Sequence, residues 1–224
     1  MARIPAAERR ADLVAAAVRV IAAHGVDGAT TRRIAEDANA PLATLHYCFA
    51  TKEALFSAVF EHVAAQYRDV LTRSDIHGDV PDTARALLRG VLAWYRDNPD
   101  FGAAIIELIS WGQRQEGALA EVVYNEAYGT MRTILAANAT ATGAAITPEL
   151  LDQLTYILSA LSDGFALNWL VFTDHKAAEP QIELSVGVLD AWLAANLGAG
   201  ASTGTAQAAP EPTLRSLVSW VSVD

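Results

Sequence analysis

Apolar residues in this chain recur at intervals of three and four over most of its length, and nowhere do they alternate as a half-buried strand would require, so the pattern predicts an all-α protein. The first such segment covers 6–24, with Leu13, Val14, Ala17, Val18 and Ile21 on one face and Gly25 where a helix C-terminus favours glycine. Two short units follow. Thr30 can cap a stretch from Thr31 to Ala38 whose Ile34 and Ala35 point inward, and Asn39 can take a left-handed turn. Pro41 suits the first position of a second unit that ends near Phe49. Thr51 then caps a longer helix over 52–73, in which Phe56, Val59, Phe60, Val63, Tyr67, Val70 and Leu71 keep the helical period until His77-Gly78-Asp79 breaks it.

Further helices are predicted near 81–97, 101–114, 117–140, 148–173 and 180–197. Thr147-Pro148-Glu149 is a start signal that combines a cap, a proline at the first position and an acid at the positive end of the helix dipole. Residues 198–212 contain no Leu, Ile, Val or aromatic side chain and read as a flexible linker; beyond them Leu214, Leu217, Val218, Trp220, Val221 and Val223 form a short apolar tail. The expected organisation is a small N-terminal domain, 1–51, a larger helical domain, 52–197, and the linker and tail, 198–224.

Composition narrows the function. With 52% hydrophobic and 19% charged residues in 224, the chain can bury a sizeable core, which excludes wholesale disorder. A net charge of −10 means that the overall field does not hold the protein on nucleic acid or an anionic membrane. The charge is uneven, however: residues 1–55 carry seven basic and six acidic side chains, a balance of +1, so the rest carries −11. That division is expected if only the first part meets DNA. The single cysteine excludes a disulfide framework and a zinc site built from several thiolates. The five histidines form no HExxH or other paired ligand spacing, and no glycine-rich loop follows a strand, so no metal, cofactor or catalytic centre is expected. Cys48 and His46 are two apart and point away from each other on a helix, although Lys52, one turn on, leaves a redox-sensitive thiol as a minor alternative. No secretory h-region is read in the first 25 residues, and no apolar stretch reaches 18 residues without charge. A cytoplasmic protein with no membrane partner is expected.

Two short helices joined by a tight turn are the helix-turn-helix arrangement, whose second helix enters the major groove. Here Ile34, Ala35, Ala38, Leu45 and Phe49 can pack beneath the turn, leaving Leu42, Ala43, Thr44, His46 and Tyr47 outside. On pattern alone, a plain three-helix bundle explains the same spacing.

The residues that narrow the choice are Gly25, Thr31, Ile34-Ala35, Ala38-Asn39, Leu45-His46-Tyr47-Cys48-Phe49, Lys52 and Leu55-Phe56. Their spacing over about 8–60 resembles the N-terminal signature of the tetracycline-repressor (TetR) family of bacterial transcriptional regulators. Asp163 to Trp169 is more weakly similar to the family's late helix at the dimer interface. Asn39 stands where the family usually has a turn glycine, Pro41 where a serine usually caps, and His46 and Cys48 where tyrosine and histidine are more frequent. The resemblance implies a three-helix DNA-binding unit, a linking fourth helix and a helical domain that binds a small molecule and dimerises.

Site residues follow from that frame. Thr31 and Thr44 have hydroxyls suited to phosphate oxygens, the resemblance assigns Tyr47 and Lys52 the same role, and Arg32 or Arg33 should reach the backbone. Thr44 and His46 can hydrogen-bond to base edges, and Leu42 or Ala43 can touch a thymine methyl. With no Arg, Asn or Gln in that helix, modest direct readout is expected, aided by DNA shape and by Arg3. One recognition helix specifies little, so a homodimer on a palindromic double-stranded operator is implied. Its expected interface is Leu154, Ile157, Leu158, Leu161, Phe165 and Trp169 with Ile182, Val186, Leu189 and Leu193, against the alternative that these form a purely intramolecular core. Trp94, Tyr95, Phe101, Glu107, Trp111, Tyr124, Asn125 and Tyr128, joined by Asn168 and Trp169, are the candidates for a pocket that takes an apolar or aromatic effector. Taken singly, each is better explained by core packing than by ligand contact, except that Glu107 is as well explained by solvent exposure and that Asn168 and Trp169 are better explained as interface residues. The reading is a repressor released by its ligand, with a helical adaptor that has lost specific DNA binding as the alternative.

Overall fold

Nine helices and no strand occupy the described residues, 5–73, 78–115 and 119–197, of the computed structural model, in agreement with the all-α expectation. Arg3, His77 and the 198–224 linker and tail lie outside those residues. α1 (Ala6–Gly28) is broken at Gly25, whose φ of 67° and ψ of 171° are accessible essentially to glycine alone, so the helix proper ends where the sequence signal placed it. α2 (Thr31–Asp37) starts on Thr30, whose side chain accepts from the Arg33 amide, and Asn39 takes the left-handed turn at φ 48°. α3 (Leu42–Cys48) begins one residue later than expected. Pro41 is its cap, at ψ 139°, because the ring fixes φ but leaves ψ free to stay extended through the turn.

α4 (Lys52–Arg73) is followed by α5 (Val80–Asp97), which Asp79 caps through the Asp82 amide at 3.0 Å. α6 (Pro99–Gly112) starts two residues before the expected position, because Pro99 can occupy a first helical turn directly after Asn98. α7 (Leu119–Thr142), α8 (Pro148–Phe172) and α9 (Ala178–Leu197) complete the body, and Thr147 caps α8 through the Leu150 amide.

One hydrophobic core runs through all nine helices. α1 packs on α2, α3, α4 and α6, while α4 lies along α7 and leads from the N-terminal unit into the body. α5 is wedged between α8 and α9, and pairs of Arg85 with Asp190, Arg89 with Glu183 and Arg96 with Glu179 align it along α9. These pairs are at least partly open to solvent, so they set register more than they add stability. Among the described residues only α8 is long and apolar enough to cross a membrane by length and composition. It is apolar on two faces, one buried against α5, α6, α7 and α9, the other open.

Candidate functional site

The N-terminal unit presents α3 as expected. Leu45 and Phe49 anchor it from below with Ile34, whereas Leu42, Ala43, His46 and Tyr47 are exposed and Thr44 is half-buried. Tyr47 is 84% exposed, a large aromatic with almost nothing around it. Lys52 begins α4, its Nζ 4.9 Å from the centre of the Phe56 ring. Thr31 lies half-buried at the start of α2. Arg32 extends along α2 to Glu36 at 2.9 Å, and Arg33 folds back to donate to the Gly28 carbonyl at 3.0 Å. Both guanidiniums are thus engaged within the chain, Arg32 only by an exposed pair that phosphate could displace.

The sequence reading missed Arg10. Its guanidinium lies 4.1 Å over the Phe49 ring and donates to the Cys48 carbonyl at 2.8 Å, satisfying an orphan acceptor at the C-terminus of α3. Only its place on the polar side of α1 hinted at this.

Within the body, a cleft of about 270 Å³ opens between α5, α6, α7 and α8, lined by Tyr95, Ile105, Ile106, Ile109, Ser110, Tyr124, Asp163, Ala166 and Leu167. It adjoins a smaller void on which Tyr67 and Ser159 also border. The Tyr67 and Tyr95 hydroxyls are hydrogen-bonded to each other across α4 and α5. The Tyr124 hydroxyl donates to Asp163 Oδ2 at 2.9 Å, and Ser159 Oγ reaches the same oxygen at 3.5 Å. Burial pushes the Asp163 carboxyl above the usual aspartate range, opposed by these two hydroxyl bonds. It likewise holds the Tyr67, Tyr95 and Tyr124 phenols up, so they remain neutral donors at any ordinary pH.

Of the residues expected around an effector, the cleft gathers Tyr95 and Tyr124. Tyr128 stands behind them, its ring 6.1 Å from that of Tyr124. Trp94 and Phe101 form an edge-on pair beside Tyr67 and Tyr95 and do not line the cleft. Trp111 packs on Phe56 and Phe60 of α4 and does not line the cleft, and Glu107 is exposed on the α1–α6 seam beside Gly25. Asn125 and Asn168 are exposed, the latter donating to the Gly164 carbonyl, and Trp169 is buried in a stack with Phe165. These corrections share one cause: interleaved aromatics on a helix point in every direction, and only the packing selects which face meets the cleft. Asp163 was missed as a cleft residue, though an acid within the apolar run from Leu158 to Trp169 was a legible signal.

The expected dimer residues need a second correction. Leu154, Leu158, Phe165, Trp169, Ile182, Val186, Leu189 and Leu193 are buried in the chain's own core, and Ile157 and Leu161 are half-buried. The apolar residues left open are Tyr156, Leu167, Val171 and Phe172 on α8 and Leu184 and Val188 on α9. Gly164 and Gly187 share this open side, and a Cβ at either would meet nothing within 4 Å. Among the described residues, no group of three or more His, Cys, Asp or Glu side chains could hold a metal ion.

Comparison with known proteins bears on this architecture. The family model described as bacterial regulatory proteins, tetR family, matches residues 13–59, which span the heart of α1 through the first two turns of α4. The chain is 43% identical over 72 residues to the HTH-type nicotine-responsive transcriptional repressor HdnoR of Paenarthrobacter nicotinovorans, a match over 32% of this chain and 35% of the repressor. The chain therefore spans about a third of that relative's length in the match. A structure described as a TetR-family transcriptional regulator from Mesorhizobium loti MAFF303099 superposes with a TM-score of 0.69 at 18% identity, over 86% of this chain and 98% of that one. The multidrug binding protein EbrR, complexed with imidazole, superposes with a TM-score of 0.57 at 24% identity, over 81% and 94%. Residues 13–59 thus carry the helix-turn-helix unit of the tetR family of bacterial regulatory proteins, and the described residues share the all-helical fold of the superposed regulators.

Proposed function

We propose that the chain is a ligand-responsive transcriptional repressor that binds a palindromic operator as a homodimer and is released by a small molecule held in the α5–α8 cleft. The observation that carries this reading is the outward face of α3. Leu42, Ala43, His46 and Tyr47 stand free on a helix whose other side is locked by Leu45, Phe49 and the Arg10 clamp. In this reading Thr31, Thr44, Tyr47 and Lys52, with Arg32 or Arg33, fasten the phosphates, and Leu42, Ala43, Thr44 and His46 meet base edges. The likeness to a nicotine-responsive repressor and to a multidrug binding protein supports a ligand response.

The homodimer forms through the open side of α8 and α9. Its exposed Leu167, Val171, Phe172, Leu184 and Val188 make an apolar surface of the kind that pairs in a four-helix bundle. Gly164 and Gly187, each weakening its helix without relieving any contact inside the chain, allow a partner helix to approach closely. Ligand in the cleft shifts α4 through the Tyr67–Tyr95 hydroxyl bridge, and operator affinity falls by the ligand's preference for the non-binding arrangement.

The test is an anisotropy titration of the full chain against DNA flanking its own gene, at two salt concentrations with nonspecific competitor. Specific, salt-sensitive binding by a dimer is expected. Absence of specific binding there and in genome-wide selection of bound fragments would overturn the regulator reading.

A further inference from the structure

The cleft has one acid, and it lacks a counter-charge. Asp163 enters from α8 with Oδ2 held by the Tyr124 and Ser159 hydroxyls, and among the described residues it forms no ion pair with Arg, Lys or His. The surrounding wall is apolar or aromatic: Ile105, Ile109, Tyr95 and Tyr124. A carboxylate in such a wall is costly when unpaired, and two hydroxyl bonds replace only part of its lost hydration. An anionic ligand would meet direct repulsion there, and a neutral apolar one would seal the charge away from water without compensating it. A cation answers both demands, since it pairs with the carboxylate and is attracted to the faces of the flanking phenols. The volume of about 270 Å³ suits a compact molecule, being just below the usual ~300–1,000 Å³ of drug-sized sites.

We propose that the cleft takes a compact organic cation, an amine with an aromatic or branched aliphatic body, whose ammonium pairs with Asp163 while its apolar part lies against Ile105, Ile109 and Tyr95. This rests on the reading of the cleft as the effector site and adds the charge and size of the ligand. Tyr124 and Ser159 position the carboxylate; the other polar groups of the lining are engaged within the chain, the Ser110 hydroxyl accepting from Arg114 at 2.9 Å and the Tyr95 hydroxyl bonded to Tyr67, which leaves Asp163 as the group for the ligand's charge.

The experiment is calorimetric titration of the full chain with three probes of similar size. N,N-dimethylbenzylamine is cationic at neutral pH, N,N-dimethylbenzamide is neutral and benzoate is anionic. The amine should bind at least tenfold more tightly than the amide, and benzoate should not bind. In Asp163→Asn the amine should fall to the level of the amide, with the amide unchanged as proof that the cleft is intact. Ile106→Trp, which fills the cleft and leaves the charge in place, should abolish binding of both. Equal affinity for amine and amide, unchanged amine affinity in Asp163→Asn, or no binding of any probe would each overturn the proposal. Operator affinity measured with the amine at saturation separates the two readings: selective binding through Asp163 with no change at the operator supports the cation site and defeats the effector role.

Discussion

Asp163 carries a cost to stability at neutral pH that the proposed cation would offset. Because its carboxyl is raised above the ordinary aspartate range in the folded chain, the folded protein holds the proton more tightly than the unfolded one. The stability this contributes is fully present below the ordinary aspartate range and is lost as the pH rises through the elevated folded-state value. At neutral pH the ionised group is a net burden. Asp163→Asn should therefore raise the melting temperature at pH 7, with the gain shrinking toward zero as the pH falls below the usual aspartate range; scanning calorimetry across that span checks it. At the other end of the molecule, Tyr47→Phe with Lys52→Ala should weaken operator binding on every sequence and flatten its salt dependence while the dimer persists, as read by anisotropy at several salt concentrations. The exposed row of α3 was legible because helical spacing and a buried Leu45 together leave one choice of outer face. Arg10 and Asp163 were not read as site residues, because their roles come from helices distant in sequence.

At the scale of the element, start and stop signals fixed the boundaries of the N-terminal helices and the start of α8, while those of α5, α6, α7 and α9 were read within a few residues from periodicity. Thr30, Thr51, Asp79 and Thr147 each receive an amide from three residues on, and Gly25 ends α1 through a backbone geometry that a side chain would strain. Gly25→Ala should lower stability by about 1–3 kcal/mol, the usual cost of such a conformation in a residue with a Cβ, measured by thermal unfolding. What periodicity could not decide was which face of α8 and α9 looks inward. A helix with apolar residues on two faces has no single polar stripe to orient it, so Leu158 and Val171 look alike in sequence although one is buried and the other is 66% exposed. The aromatic residues of α5 to α7 suffered the same ambiguity. Trp111 in particular belongs to the joint with α4, where it meets Phe56 and Phe60.

For the whole molecule, the distinction between inner and outer faces becomes an experiment. Val171→Glu with Leu184→Glu places charges on open positions, 66% and 70% exposed, so the single chain should keep its fold. Sedimentation velocity should show a monomer, and operator affinity should fall by more than a hundredfold because one recognition helix remains. Leu158→Ala, cut from the core, should instead cost about 2–5 kcal/mol of stability and leave the association state of the folded fraction unchanged.

The bridge between Tyr67 and Tyr95 acquires mechanical meaning from its place on α4. Tyr67 lies fifteen residues along one unbroken helix from Lys52, which makes a rod of about 22 Å between the bridge and the proposed phosphate contact. A tilt of about 5° at the bridge moves Lys52 by about 2 Å, and in a two-fold pair the separation of the two ends changes by about twice that. DNA offers its grooves at a fixed repeat of about 34 Å, so under the proposed mechanism release needs no large rearrangement: leverage would convert a small displacement beside the cleft into a mismatch of spacing.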